Sequence, residues 1–144
     1  MRPAEALERG RQILEDVLLP CGFLYVEGVS GVSSGGEFAS GQYVRDDRAL
    51  ELHFRFSLGL VTYRIADASL LHEEYMQALL GRHGPNQYPG FSDDPLEGFR
   101  HLKNDLERYC SDFLTGSGDE FRACVKRLVE APRKTGLEAL ENDV

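Results

Sequence analysis

Polar side chains alternate with apolar ones through residues 50–65, and these are the groups of the chain best placed to bind a ligand or a partner. Successive side chains of a β-strand point to opposite faces, so this alternation predicts a strand with one buried face and one polar face. Two arginines on such a face could bind an anion or a carboxylate, and a histidine could form a hydrogen bond. The polar residues of this stretch are Glu51, His53, Arg55, Thr62 and Arg64.

The apolar residues change from even to odd positions inside this stretch, which predicts a hairpin centred on Leu58-Gly59. A loop of two or four residues keeps both apolar sets on one buried face, whereas a three-residue loop does not. The predicted pairs are Phe56 with Val61, Phe54 with Tyr63 and Leu52 with Ile65. On the polar face, the neighbours predicted by this register are His53 with Arg64 and Arg55 with Thr62.

A second strand is predicted over residues 36–45, joined to the hairpin by a turn at Asp46-Asp47. The pairs predicted across that turn are Tyr43 with Leu50, Gly41 with Leu52 and Ala39 with Phe54. Small residues would then lie opposite large ones on the buried face, which lets a helix approach closely. On the polar face, the neighbours predicted by this register are Phe38 with Arg55, Ser40 with His53 and Gln42 with Glu51.

The polar face leads to a first hypothesis, that the protein is a non-enzymatic protein-binding module. Arg55 and Arg64 would anchor a protein partner or a second copy of the chain, and Phe38 would supply an apolar contact. An acidic helical surface is the other candidate for this binding role. The alternative is a solvated outer face, as antiparallel sheets often have, on which Glu51, His53 and Arg64 neutralise one another.

A second hypothesis is a site for a small anionic ligand or substrate at the same face. The pocket would be bounded by His53 and by the loops predicted at 30–36 and 82–94. The second loop would contribute Tyr88 and Phe91. Such a pocket would make the protein a ligand-binding protein or an enzyme.

Elsewhere the sequence lacks the spacing of a catalytic, metal or cofactor site. It contains neither His-Glu-x-x-His nor Cys-x-x-Cys, so no metal, cofactor or catalytic residue is assigned. His72, His83 and His101 are expected at the surface. Cys110 and Cys124 fall on apolar helical stripes and are expected in the core.

The segment before the polar strands is predicted to be a helix and a strand. Residues 3–19 have an apolar stripe at helical spacing, with Gly10 on or near the stripe, where another element could approach closely. A strand is predicted at 23–29. The glycines and serines that follow predict a loop at 30–37.

The segment after the polar strands is predicted to be helical. The expected helices cover 70–81, 95–115 and a last segment that begins at 117–120 and ends before Pro132. Asp67 or Ser69 can cap the first of these helices, and Gly81 suits its left-handed end. Asp94 can cap the second.

Length and charge limit the class of protein. A chain of 144 residues has the size of one ordinary domain. The net charge of −8 argues against binding to nucleic acid or to anionic membranes, which require basic surfaces. Three widely spaced cysteines fit a reducing compartment, and no apolar run approaches a membrane span. A cytoplasmic protein is therefore expected.

These elements predict a single α+β domain over residues 1–132, with a charged tail at 133–144 that is disordered or holds one helical turn. The domain has two layers, with an N-terminal helix, a four-stranded antiparallel meander and three C-terminal helices packed on one face of the sheet. In size and charge alone, the chain resembles small acidic bacterial α+β proteins, including toxin-immunity proteins. The resemblance implies an immunity-like protein-binding role, and self-association as a homodimer is the other form of the first hypothesis.

Overall fold

The computed structural model describes residues 1–81 and 94–129, which form an α+β fold with a helix first, an antiparallel sheet next and further helices last. The strands are β1 (Leu24–Ser33), β2 (Gly36–Arg45), β3 (Arg48–Phe54), β4 (Leu58–Ile65) and β5 (Ala68–Leu71). The helices are α1 (Pro3–Leu18), α2 (His72–Leu80), α3 (Glu97–Tyr109), α4 (Ser111–Leu114) and α5, which occupies 119–129 of the described chain. The predicted tail at 133–144 lies outside the described residues, so the domain boundary stays a prediction.

The five strands form one sheet in the order β1-β2-β3-β4-β5, in which each strand pairs with its neighbours in the chain. This confirms the antiparallel meander, but the predicted count of four strands is wrong. The additional strand, β5, follows a tight turn in which Ala66 has a left-handed φ of 54°. Because Leu70 pairs with Tyr63 in the sheet, α2 begins at His72, two residues later than predicted.

β1 and β2 meet in a hairpin where a loop was predicted at 30–37. β1 continues to Ser33 and β2 starts at Gly36, so that prediction is wrong. Ladder hydrogen bonds join backbone groups, so small residues can form them even where they have no side chain to bury. The glycines and serines here pair with β2 in this way.

A β-bulge interrupts β1 halfway along its length. The register with β2 shifts by one residue between Glu27 and Ser30. Ser40 of β2 holds the bulge, because its hydroxyl donates to the Val29 carbonyl at 3.0 Å and accepts from the Val29 amide at 3.2 Å. The bulge divides the β1 edge into two short halves.

Of the β2–β3 and β3–β4 registers, only the first was predicted correctly. The β2–β3 pairs agree with the prediction and include Tyr43 with Leu50, Gly41 with Leu52 and Ala39 with Phe54. The β3–β4 register is wrong. The observed pairs include Leu50 with Tyr63, Leu52 with Val61, Glu51 with Thr62 and His53 with Leu60.

The chain reverses between β3 and β4 at residues 55–57, ahead of the predicted centre at Leu58-Gly59. The Arg55 amide donates to the Ser57 carbonyl at 3.2 Å, which closes the turn. Leu58 is consequently buried in β4, whereas Phe56, predicted as core, is 80% exposed.

The core lies between the helices and the inner face of the sheet. Its largest buried side chains are aromatic and include Tyr43, Tyr63, Tyr75, Phe54, Phe99, Phe113 and Phe121. The Phe99 ring of α3 lies against Gly10 of α1, where an added Cβ would overlap the ring. This confirms the close contact expected at Gly10, and it gives a packing reason for a glycine inside a helix.

The helix predicted at 95–115 is divided into α3 and α4 at Cys110, whose φ of −106° and ψ of 23° are not helical. Arg48 of β3 holds the end of α4. Its guanidinium donates to the carbonyls of Asp112, Phe113 and Gly116. Carbonyls at a helix end lack donors within the helix, so the arginine supplies them.

Candidate functional site

The face of the sheet away from the helices, called the outer face below, carries most of the predicted polar residues. Residues directly opposite each other on neighbouring strands point to the same side, so the registers define its rows. None of the described helices covers these rows, and their side chains are exposed or half-buried. The rows are Leu24, Val44, Ala49, Arg64, Ser69; Val26, Gln42, Glu51, Thr62, Leu71; and Ser40, His53, Leu60.

A shallow depression of about 310 Å³ lies in the middle of the outer face. Its polar lining is formed by Ser40, Gln42, Glu51, His53 and Thr62, with Leu60 at an edge. The Ser40 hydroxyl is already bonded at the β1 bulge. The Gln42 amide, the His53 imidazole and the Thr62 hydroxyl therefore remain to bind a ligand. Glu51 gives the lining an acidic character.

The two arginines of the predicted site are bound to groups of the protein itself. Arg64 Nε lies 3.2 Å from Glu51 Oε2, and both side chains are about two-fifths exposed. Arg55 donates to the Gly36 carbonyl and to the Ser33 hydroxyl, both at 3.0 Å. Neither guanidinium lines the depression, so the structure does not bring the two arginines together at one site.

Phe38, His53 and Arg55 form a stack at one end of the outer face. The Phe38 and His53 ring centroids are 5.4 Å apart with an interplanar angle of 19°. The Arg55 guanidinium carbon lies 5.6 Å from the Phe38 centroid, within the range of a cation–π contact. Of the two predicted neighbours of His53, Ser40 is confirmed. Arg64 is wrong, because Leu60 is the residue of β4 that pairs with His53.

Tyr88, the remaining predicted site residue, lies outside the described residues, as does all of the predicted loop at 82–94 except Asp94. The other predicted wall, at 30–36, is the end of the β1–β2 hairpin. A pocket between these two segments and His53 therefore stays a prediction.

A second polar group lies inside the core, where the sequence pattern predicted none. His72 is fully buried at the start of α2. Its Nδ1 lies 2.8 Å from Tyr63 Oη, its Nε2 lies 2.8 Å from Asp105 Oδ2, and the Cys110 thiol lies 3.7 Å from the same Tyr63 oxygen. The predicted surface position of His72 is wrong, because both ring nitrogens have fixed partners in place of water.

Helical spacing contained a signal for this buried group. His72 precedes Tyr75 and Met76 by three and four residues, so all three lie on one face of α2. Asp105 follows Leu102 by three residues on the buried face of α3. A histidine and an aspartate on the apolar faces of two helices indicate a buried pair, because polar groups in a core need partners.

The buried network links β4, α2 and α3 through side chains that scarcely meet solvent, so it joins the sheet to two helices. The thiols of the core are also poor nucleophiles. Burial raises the pKa of Cys110 and, more than the neighbouring Arg127 lowers it, that of Cys124. The predicted core positions of both cysteines are confirmed.

Comparisons with family models, curated proteins and solved structures give no match to this chain. Within residues 1–81 and 94–129, no group of three or more His, Cys, Asp and Glu side chains could hold a metal ion. None of the helices in that part of the chain is long and apolar enough to cross a membrane. The surfaces of the sheet are therefore the candidates for a functional site.

Proposed function

We propose that this protein is a non-enzymatic protein-binding module that self-associates through the outer face. The observation that carries the proposal is a set of exposed aliphatic side chains on a sheet face that none of the described helices covers. They are Leu24, Val26, Leu60 and Leu71, with exposures between 36% and 69%. These side chains lie toward both edges of the outer face, with polar Gln42, Glu51 and Thr62 between Val26 and Leu71, and exposed apolar groups rimmed by polar ones on an uncovered face favour an interaction site.

The charge of the outer face favours a second copy as the occupant. The chain carries a net charge of −8, so two copies repel each other over most of their surfaces. The rows of the outer face carry one acid and one base, Glu51 and Arg64, which pair within the chain. The outer face is therefore a surface through which two acidic copies can approach without net repulsion.

The size of the outer face is sufficient for a dimer. Strands lie about 4.8 Å apart and rise about 3.3 Å per residue, so five strands of about seven residues cover roughly 550 Å². Two copies would bury about 1,100 Å², which reaches the size of about 1,000 Å² expected of a specific interface. This buried area is close to the lower limit for a specific interface, so the dimer should be of modest affinity.

Light scattering after size exclusion tests the proposal. At high concentration, the mass of the wild-type protein should approach twice the chain mass of 16.1 kDa. Leu60→Arg should weaken the dimer by about a hundred-fold or more, because symmetry places two like charges in the interface. A wild-type mass of one chain at every concentration would overturn self-association.

Leu19→Arg is the matched control for Leu60→Arg. Both leucines are 46% exposed, but Leu19 follows α1 and lies away from the outer face. The control variant should keep the wild-type mass. Equal loss of the dimer in both variants would show that added positive charge, and not the outer face, controls the association.

A small ligand in the depression is the second candidate function, supported by the unbonded polar groups of its lining. Because Glu51 lines the depression and no arginine does, a neutral or cationic ligand is favoured over the anion expected from the sequence. Titration with putrescine should shift the backbone amide resonances of Gln42, His53 and Thr62, whereas succinate should not. Absence of shifts with both compounds would remove this candidate.

We place the module in the cytoplasm. The three cysteines are free thiols, which supports a reducing compartment. The acidic charge supports a protein partner over nucleic acid, whose phosphates require basic surfaces.

A further inference from the structure

β1 is an edge strand with a groove beside it. It pairs with β2 on one side, and its other edge has no strand partner within the described residues. α1 passes next to this edge on the inner side of the sheet, where Arg11 of α1 lies 3.5 Å over the Tyr25 ring of β1. We propose that the groove between α1 and β1 binds an extended, basic segment of a partner protein, which adds to the sheet as a sixth strand.

This surface differs from the outer face, so the inference goes beyond the proposed self-association. An exposed strand edge offers unpaired backbone N–H and C=O groups, and strand addition satisfies them. Side-chain pockets next to the edge then select the sequence of the added strand. The α1–β1 groove supplies such pockets here.

The groove consists of two adjoining depressions of about 420 and 450 Å³. Both are lined by Ala4 and Glu8 of α1 and by Ser30 of β1, so they form one continuous channel. β1 is ten residues long and therefore spans about 33 Å. Because the bulge divides this length, a segment of about four residues fits along each half of the edge.

The charges of the groove define the partner as basic. Both arginines that line the groove are paired with acids, Arg2 with Glu37 at 2.9 Å and Arg11 with Glu15 at 3.2 Å. Glu5, which also lines it, pairs with Arg9 at 3.0 Å. Glu8 and Glu27 also line the groove, and neither has an ion-pair partner in the part of the chain that the structure describes. The uncompensated charge is therefore negative, and lysine or arginine complements it.

The alternation of side chains along β1 also determines which side chains suit each face of the added strand. Tyr25 and Glu27 point to the groove, and Leu24 and Val26 point to the outer face, where they are exposed. A strand paired to β1 alternates in the same way. Its groove-facing side chains should be basic and its opposite side chains aliphatic.

A second copy of the chain is a poor occupant of this edge. In an antiparallel β1–β1 pair, the two Glu27 side chains would lie close together in the same groove region, with Glu8 of each copy nearby. The bulge at Gly28-Val29 also twists the edge, a feature that prevents long edge-to-edge pairing. A short basic segment avoids both obstacles.

Amide chemical-shift mapping on the full chain tests the proposal with a capped peptide of alternating lysine and valine. Its binding should shift resonances of β1 and of the first turns of α1. The same peptide with glutamate in place of lysine should not bind, and a proline at its centre should abolish binding, because it removes a ladder donor. Shifts confined to other surfaces, or equal binding of the glutamate peptide, would overturn the inference.

Protein variants test the assigned charges. The double substitution Glu8→Gln and Glu27→Gln should weaken binding of the lysine peptide about three- to ten-fold, as exposed ion pairs allow. Glu73→Gln, which removes an exposed acid of α2, is the control and should change nothing. An equal loss in the control would show that net charge alone attracts the peptide and would overturn the groove assignment.

The Leu60→Arg variant separates this inference from the proposed function. If the outer face mediates dimerisation, this variant is a monomer and should still show the β1 shifts with the lysine peptide. If the wild-type chain proves to be a monomer, the proposed function fails but the peptide experiment remains valid. If the dimer forms and no peptide shift appears, only the groove inference fails.

Discussion

Removal of the Asp105 carboxylate should destabilise the fold more than any removal of a surface acid. Asp105 is 6% exposed and lies 2.8 Å from Nε2 of His72, which is itself fully buried. In Asp105→Ala, the hydrogen bond between His72 Nε2 and the carboxylate is lost in a region that little water reaches. Breaking a hydrogen bond between buried polar groups costs about 1–3 kcal/mol, so a loss of about 2–3 kcal/mol is expected.

The loss can be measured by urea unfolding and by thermal melting. For a domain of 144 residues, about 2–3 kcal/mol corresponds to a decrease in Tm of about 7–10 °C. Asp105→Asn keeps a carbonyl acceptor for His72 and should lose only about 1 kcal/mol. Glu107→Ala, in the same helix but with a half-exposed side chain, is the control and should change stability by less than about 0.5 kcal/mol. A Tm of Asp105→Ala equal to that of Glu107→Ala would contradict a stabilising contact between Asp105 and His72.

Two further predictions concern single contacts. Gly10→Ala should cost about 1–3 kcal/mol in urea unfolding, because its Cβ overlaps the Phe99 ring; wild-type stability would show that the helices can separate freely. A hydrogen bond from Arg100 holds the pKa of Asp94 below its ordinary 3.8, so Arg100→Ala should raise that pKa in an NMR titration. Since the folded pKa is lowered, the stabilisation is present above the ordinary carboxyl pKa and is lost as the pH falls through the lowered value. An unchanged titration in the variant would contradict this cause.

The β3–β4 hairpin shows what alternation can and cannot predict. Moving one strand by an even number of residues keeps every buried side chain on the buried face, so alternation fixes the face but not the register. The turn decides between registers, and here it is a short bend closed by Arg55 and Ser57 that turns Phe56 to solvent. The β2–β3 register was predictable, because Asp46-Asp47 marks a two-residue turn.

Predictions based on residue type were wrong at two other places. The glycines and serines at 30–37 indicate a loop by composition, yet their backbones complete the β1–β2 ladder. His72 was expected at the surface because histidine is polar, although its spacing from Tyr75 placed it on the buried face of α2. The deciding partner is the adjacent strand β2 in the first case and Asp105, 33 residues away, in the second, and residue type alone identifies neither.

The candidate surfaces were predictable to different degrees. The polar rows around Glu51 and His53 follow from alternation, so the outer face could be located from the sequence. The hydrogen bonds from Arg55 to the β1–β2 turn could not be predicted, because the glycines and serines at 30–37 indicate a loop and not a hairpin. The α1–β1 groove likewise requires the edge position of β1, which only the strand order of the sheet reveals.

The two proposed surfaces share β1, so occupation of one should affect the other. Leu24 and Val26 belong to the outer face, while Tyr25 and Glu27 belong to the groove. A sixth strand added along β1 would widen the outer face by about 4.8 Å, or roughly one-fifth. Its aliphatic side chains would extend the apolar surface that two copies bury.

The lysine–valine peptide should therefore strengthen the dimer. The added width is worth about 100 Å² per copy, and since buried area converts only partly into affinity, an increase of about ten-fold is expected. Sedimentation equilibrium with and without the peptide measures this change. Coupling between two binding equilibria is reciprocal, and since a dimer binds two peptides, the wild-type dimer should bind each peptide about three-fold more tightly than the Leu60→Arg monomer. Equal peptide affinities for the two proteins would show that the groove and the outer face act independently, and that β1 does not connect them.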